Sequence, residues 1–456
     1  MTHGALFEKV AQWKAAIGEI ASKPLVFVMA ESSVDLVAAW IGAWRAGAAI
    51  ALVNPRLKDE DLHALLSAYQ PDCVAIPTSA SEVEGYTPRA VAGAATARLV
   101  VCGARAAGVV DPDLALLLFT SGTTGSPKAV RLSTANVAHN TSAIIKSLSL
   151  RPDETALGHL SLNYSFGMSV VNSHLAVGGS IVLTSQSLAN PALWKRASSF
   201  HVTTLPGVPA QYELLHRLRF NVDSFCPSLR VMTQAGGKAR EDILDHFAGM
   251  MKVHGGRFYV MYGQTEAGPR MACQDLTRPG GDPAAAGWAL TDGEFQILDE
   301  ESRPRPAGEP GFVRYRGPNV MMGYARSRAD LERGDEMRGV LDTGDIGHLG
   351  GDGKLFIVGR SKRFVKVAGI RCNLDEIERA AATIAAPTAA VPDEDGIVVF
   401  WPEAAVESPR QAAMQLARIL AFPATAVRCR VVKAIPRLGS GKTDYAALRE
   451  LDRDGS

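Results

Sequence analysis

The sequence predicts an α/β fold: a large N-terminal domain of mixed, mostly parallel sheets with flanking helices plus an antiparallel subdomain, then a small α+β C-terminal domain. Three observations predict it. Short apolar runs alternate with helix-period segments from Pro24 to Tyr262, turn-rich alternating strands begin near Glu294, and a basic strand-like stretch opens a last segment near Gly359. Strands that alternate with helices pair in parallel, because the helix is the crossover that returns the chain to the same end of the sheet.

The elements follow in order. MTHGALFEKVAQWKAAIGEI reads as an amphipathic helix of mixed charge rather than a signal peptide. PLVFVMA, ended by polar ESS, is a buried strand, and SVDLVAAWIGAWRAG has helical spacing up to Gly47. AAIALVN is a strand closed by Asn54-Pro55, DEDLHALLSAY is a helix with an acidic first turn, and DCVAI is a third strand. SIVLTS, VTTLPGVP, RVMTQAGG and RFYVMYG continue the cadence. GEFQILDEESRPRPAGEPGFVRYRGPNVMMGY, dense in turn residues, forms the antiparallel subdomain. RSKRFVKVAGIRCNLDEIERAA is strand-like and then helical, and a boundary between Ser361 and Lys362 divides the chain into domains 1–361 and 362–456.

Composition excludes several classes. With 48 Lys and Arg against 47 Asp and Glu, a net charge of +1 offers no bulk attraction for nucleic acid or an anionic membrane, so phosphate chemistry must come from a local site. The longest apolar stretch, Leu36 to Val53, carries Arg45 at its centre and reads as a helix followed by a strand, not as a membrane span. The six cysteines are scattered without a C-x-x-C pair or a nearby His cluster, which fits reduced thiols in a cytoplasmic protein.

One segment carries a strong chemical signal. In LLLFTSGTTGSPKAV an apolar strand runs into Thr120, Ser121, Gly122, Thr123, Thr124 and Gly125, with Lys128 close behind. Glycines let the main chain approach phosphate oxygens, consecutive N–H groups form an anion nest, and hydroxyls and one ammonium add donors. A Ser/Thr/Gly surface loop that binds nothing is the competing reading. The order does not fit G-x-x-x-x-G-K-S/T, so P-loop ATPase chemistry is not implied. Gly439-Ser440-Gly441-Lys442-Thr443 looks like the tail of such a loop, but Pro436 stands where its first glycine belongs and only 14 residues follow Lys442.

FTSGTTGSPKAV, MYGQTEAG (Met261 to Gly268), LDTGDIG (Leu341 to Gly347), VGRSKRFVKVAGIRCNLDEIE (Val358 to Glu378) and LGSGKTDY (Leu438 to Tyr445) occur in that order. Together they resemble the adenylate-forming superfamily of acyl-CoA ligases, luciferases and peptide-synthetase adenylation domains, over roughly Leu25 to Tyr445. The resemblance implies ATP-dependent activation of a small carboxylic acid to an acyl-adenylate. Transfer to a thiol follows, either CoA or the phosphopantetheine of an acyl carrier protein. It implies that Thr120 to Lys128 hold the β- and γ-phosphates, and that Tyr262 stacks on adenine beside Gly263, with Gly236 and Gly237 shaping that wall. Thr265 would touch the α-phosphate, Glu266 would hold Mg²⁺, and Asp345, assisted by Arg360, would bind the ribose hydroxyls. Lys442 would stabilise the transition state of adenylation. Lys362 would be the hinge about which a mobile small domain turns between the two half-reactions. Each residue has a plainer alternative: solvated carboxylates for Asp345 and Glu266, a core aromatic for Tyr262, a tail lysine for Lys442.

HLSLNYSFGMSVVNSHLAVGG, His159 to Gly179, resembles the acid-lining segment, and Asn163, Tyr164 and Phe166, with Gln234, are the candidate acid contacts. Amino-acid-activating relatives carry an Asp where Asn163 stands; a neutral amide does not neutralise a buried ammonium, which disfavours an α-amino acid. Asn163 satisfying a local turn is the equal alternative, and His159 and His174 read as structural. A carrier-protein-loading adenylation enzyme and a non-catalytic nucleotide-binding relative are the other readings. A motor ATPase fails for want of a Walker loop.

Overall fold

A computed structural model of the chain describes residues 1–103, 108–120, 128–367, 370–393, 396–438 and 443–453. The chain forms two compact units, one of Met1–Phe295 with Tyr315–Leu341 and the other of Gln296–Arg314 with Asp342–Ser456.

The first unit holds two large sheets. In the eight-stranded sheet, Leu114–Thr120, Ala49–Val53, Leu25–Met29 and Cys73–Pro77 run parallel side by side. Antiparallel strands flank them, with Lys128–Ser133 and then Gly323–Ala325 on one side. Leu25–Met29 and Ala49–Val53 are buried along their whole length, which is why they read as unbroken apolar runs rather than alternating ones. The Leu36–Val53 stretch is the helix Val34–Arg45 followed by the strand Ala49–Val53, and the N-terminal segment is the helix His3–Gly18.

The seven-stranded sheet sets Arg257–Tyr262, Val231–Gln234, Thr204–Gly207, Thr155–Gly158 and Ser180–Leu183 in parallel. Its alternate residues feed two cores. Phe258, Val260 and Met232 pack with Trp194, Tyr212 and Phe247 on one face. Tyr259, Met261 and Val231 pack with Ile144, Phe166 and Val170 on the other, beneath the helices Thr134–Leu148 and Ser165–Ala176.

The four-stranded sheet, which begins at Glu294 where the sequence changes texture and pairs Val340–Leu349 antiparallel with Leu355–Arg360, lies mostly in the second unit. The hairpin Phe364–Val367 with Ile370–Asn373, the helix Leu374–Ala382 and a three-stranded sheet complete it. Among the described residues no helix is long and apolar enough to cross a membrane.

Candidate active site

Strand Arg257–Tyr262 delivers Tyr262 at its carboxyl end, the end of parallel strands where open α/β sheets gather ligands. A Cβ on Gly263 would lie 1.9 Å from the Pro269 carbonyl oxygen, so only glycine lets the chain fold back closely after the strand. Residues Thr265–Ala267 then form a 3₁₀ turn. Two buried asparagines hold the segment in place. Asn319 Nδ2 donates to the carbonyls of Ala267 (2.6 Å) and Arg270 (3.0 Å), and Asn140 Nδ2 donates to that of Arg270 (2.8 Å). The Met321 N–H donates to the Glu266 carbonyl at 2.9 Å.

The braced turn aims two side chains. Thr265 Oγ1 and Ser165 Oγ are 3.1 Å apart, which joins the turn to the first residue of the helix Ser165–Ala176. Tyr324 Oη donates to Glu266 Oε1 at 3.0 Å, and Lys128 Nζ stands 3.3 Å from the centre of the Tyr324 ring. Sheet pairing explains this meeting: Tyr324 lies opposite Val130 on the strand that Lys128 opens. Tyr324 therefore touches both the ammonium, through its ring face, and the carboxylate, through its hydroxyl. Burial and the Glu266 carboxylate push its pKa up, so the phenol stays protonated and remains a donor.

Behind this turn lies the expected acid-binding segment. Gly236 has φ +89°, and a Cβ there would meet Tyr164 Oη at 2.2 Å, so the glycine wall and Tyr164 are adjacent. Gln234 is buried and donates through Nε2 to the Gly237 carbonyl at 2.9 Å. The Tyr164 and Phe166 rings meet edge-on at 6.2 Å. Asn163 Oδ1 accepts from Ser161 Oγ, a bond within its own turn. His159 is buried and pushed down to about 4 by desolvation, and burial lowers His174 as well, so both imidazoles are neutral at pH 7.

In the second unit, Asp345 and Arg360 face each other across the pair Val340–Leu349 and Leu355–Arg360. Arg360 Nε is 3.0 Å from Asp345 Oδ1; the carboxylate is 3% exposed and the guanidinium side chain 55%. The Thr343 hydroxyl donates to the Val313 carbonyl (2.7 Å) and accepts from the Asp345 N–H (3.1 Å), fixing the strand that presents the carboxylate.

The family profile of AMP-binding enzymes matches residues 1–325. This chain belongs to that family. Chondramide synthase of Chondromyces crocatus is 28% identical over 94% of this chain and 11% of its own length. Acyl-CoA synthetase ALT10 of Alternaria alternata is 30% identical over 60% of this chain and 51% of its own length. An L-proline–[L-prolyl-carrier protein] ligase of Streptomyces coelicolor is 30% identical over 59% and 51%. The chain thus matches about half, or far less, of each of these relatives' own length. Among solved structures, ATP-bound MatB from Rhodopseudomonas palustris superposes with a TM-score of 0.80 at 24% identity, over 99% of this chain and 93% of that one. The o-succinylbenzoate CoA synthetase of Bacillus subtilis with ATP and magnesium gives 0.76 at 19%, over 96% and 92%. At those identities the superpositions establish the fold.

Of the residues this AMP-binding enzyme was expected to use, Ser121, Gly122, Thr123, Thr124, Gly125 and Lys442 lie outside the described residues, as do the side chains of Thr120 and Lys362. Tyr324, Ser165, Asn319 and Asn140 joined the site only through the fold. Among the described residues no group of three or more His, Cys, Asp or Glu is placed to cage a metal. Glu266 gives one oxygen to Tyr324, and its other oxygen takes no hydrogen bond among the described residues. One available carboxylate oxygen fits Mg²⁺, which keeps its waters and takes few protein ligands beside phosphate.

Proposed function

We propose that this AMP-binding enzyme condenses a carboxylic acid with ATP to an acyl-adenylate and pyrophosphate, then passes the acyl group to a thiol. The observation that carries the reading is the contact chain Lys128–Tyr324–Glu266 beside Thr265 at the carboxyl end of a parallel strand. It sets a cation, a carboxylate suited to Mg²⁺ and a hydroxyl next to one another, the groups a nucleotide triphosphate needs. In the first step a carboxylate oxygen attacks the α-phosphorus, and the bond to pyrophosphate breaks, with pyrophosphate leaving with the electron pair. The attacking acid is already ionised at neutral pH and needs no general base, in keeping with neutral His159 and His174. Mg²⁺ on Glu266 supplies positive charge to the phosphate oxygens when bound. In the second step the thiol sulfur attacks the acyl carbon, AMP departs with the electrons of the broken C–O bond, and the thiol proton passes to solvent.

The test is ATP–pyrophosphate exchange with Mg²⁺ over a panel of acids, followed by acyl transfer to CoA and to carrier-bound phosphopantetheine. Both acceptors belong in the assay, because the relatives include an acyl-CoA synthetase and a carrier-protein ligase. A chain that binds ATP yet catalyses no exchange with any acid overturns the reading. The demand for ATP and a reduced thiol suits a reaction in the cytoplasm.

Asp345, in this reading, accepts the ribose hydroxyls with Arg360 beside it. Asp345→Ala is expected to raise the KM for ATP by about tenfold or more, the usual cost of a hydrogen bond to a charged group. An unchanged KM would mean that the ribose binds elsewhere.

The proposed hinge at Lys362 lies in the short turn Ser361–Arg363, on the proposed boundary between domains 1–361 and 362–456. Arg363 Nη2 donates to Glu378 Oε1 at 2.7 Å, its guanidinium carbon stands 4.1 Å from the centre of the Tyr445 ring, and Tyr445 Oη donates to Glu378 Oε2 at 3.1 Å. Arg437 pairs with Thr443, and the Asp444 N–H donates to the Pro436 carbonyl at 2.9 Å, so the segments before and after residues 439–442 are tied to each other. Tyr445 then acts as a positioning residue for Lys442. Tyr445→Phe is expected to slow exchange about five- to tenfold, the worth of one hydrogen bond. Acyl transfer from preformed acyl-adenylate should be unchanged; equal slowing of both half-reactions would leave Tyr445 with a structural role alone.

A further inference from the structure

Arg270 follows the Thr265–Ala267 turn and is only 4% exposed. Its guanidinium carbon lies 4.1 Å from the centre of the Phe166 ring, Nη2 is 3.3 Å from Ser169 Oγ, and Nε is 3.3 Å from Met261 Sδ. Among the described residues no acidic side chain pairs with it, and Nη1 makes no hydrogen bond. A thioether and one hydroxyl are poor company for a group with five donors and a full charge. Stacking on Phe166 offsets only part of the cost of burying an unpaired cation. Burial lowers the guanidinium pKa to about 10, so the group is still charged at neutral pH.

The cation borders a cavity of about 10 Å³, the room of a single water, with Phe166, Ser169, His174, Thr233 and Met261 among its other walls. His174 Nδ1 is 2.9 Å from the Val170 carbonyl, which can only accept, so Nδ1 carries the proton and Nε2 is a buried acceptor with no partner. Two buried polar groups thus border one small void. The void lies close to the proposed chemistry: Ser165, which touches Thr265, and Ser169, which touches Arg270, are on the same helix, about 6 Å apart along its axis.

We infer that the acid is a short dicarboxylate whose second carboxylate is held by Arg270. The inference rests on the adenylation reading above. The distal carboxylate supplies the charge that Arg270 lacks within the fold, while the reacting carboxylate lies towards Thr265; because the void as it stands admits one water, binding must also move the side chains that wall it. A fatty acid of the same length would set methyl and methylene groups against a buried cation. A guanidinium can grip a carboxylate through two parallel bonds, and Nη1 is the donor still to be used.

The test measures ATP–pyrophosphate exchange by the full chain with malonate, succinate and glutarate against propionate, butyrate, pentanoate, benzoate and a mixture of amino acids. One dicarboxylate is expected to exceed its monocarboxylate counterpart at least 100-fold in kcat/KM. Arg270→Met, which keeps packing against Phe166, should lower that value by about 100-fold through the KM for the acid, with the KM for ATP unchanged. Arg270→Lys, which keeps the charge without the paired donors, should fall between the two; it carries the test if the Met variant does not fold. Exchange with a monocarboxylate or an amino acid but no dicarboxylate overturns the inference and leaves adenylation standing. Dicarboxylate exchange that folded Arg270 variants leave unchanged overturns the role of Arg270. No exchange with any acid overturns adenylation itself, and the dicarboxylate with it.

Discussion

Lys442→Ala is expected to slow acyl-adenylate formation by about 10²- to 10³-fold, the usual loss when one preorganised charge is removed from a developing oxyanion. Acyl transfer from preformed acyl-adenylate should proceed at the parent rate. The asymmetry follows from where charge develops. When the acid attacks the α-phosphorus, negative charge spreads over the phosphoryl oxygens, and an ammonium placed there stabilises the transition state more than bound ATP. In thioester formation the developing charge sits on the acyl carbonyl oxygen instead. Because one active site would serve both reactions by exchanging part of its wall, a residue used in one state is dispensable in the other. Measured by single-turnover exchange and by thioester formation from synthetic acyl-adenylate, equal losses in both steps would remove Lys442 from this role.

The α/β character was legible because strands buried on both faces leave a direct trace: LVFVM and AIALV are unbroken apolar runs, and helix-period segments separate them. The change of texture at Glu294 was legible for the opposite reason, since an antiparallel sheet buried on one face alternates apolar with polar residues and is joined by turns. Site residues that lie together in the chain, such as Tyr262 to Glu266, could be read as one motif. Tyr324 could not. Its place between Lys128 and Glu266 arises from pairing Gly323–Ala325 with Ala129–Arg131, and nothing in the local pattern MMGY names that partner. Asn319 and Asn140 were hidden in the same way, as buried amides whose partners are main-chain carbonyls distant in sequence. Arg270 did leave a trace: it is the single charge in AGPRMAC, a stretch otherwise small or apolar, and such a charge needs either a buried partner or a ligand. Asn163 illustrates the limit of composition alone, because the amide considered for the acid also bonds within its own turn, to Ser161.

Glu266→Gln is expected to lower kcat for exchange by about 100-fold or more and to raise the Mg²⁺ concentration needed for half-maximal rate. Glutamine is the informative replacement because it separates charge from shape. Its amide oxygen can still accept from Tyr324, and the main-chain bond from Met321 to residue 266 is untouched, so the turn should keep its form. What disappears is the negative charge that a magnesium ion would neutralise. Tyr324→Phe provides the contrast: it removes one donor to Glu266 but leaves the carboxylate and the ring beneath Lys128. Losing a partner of a metal-binding carboxylate costs about 10- to 100-fold, so this variant should stay above Glu266→Gln in rate and shift the Mg²⁺ requirement less. If Glu266→Gln retained half the parent rate with an unchanged Mg²⁺ dependence, the carboxylate would be only a brace for Tyr324. The ion would then have to be held by phosphate oxygens and water, with no acidic side chain of this turn taking part.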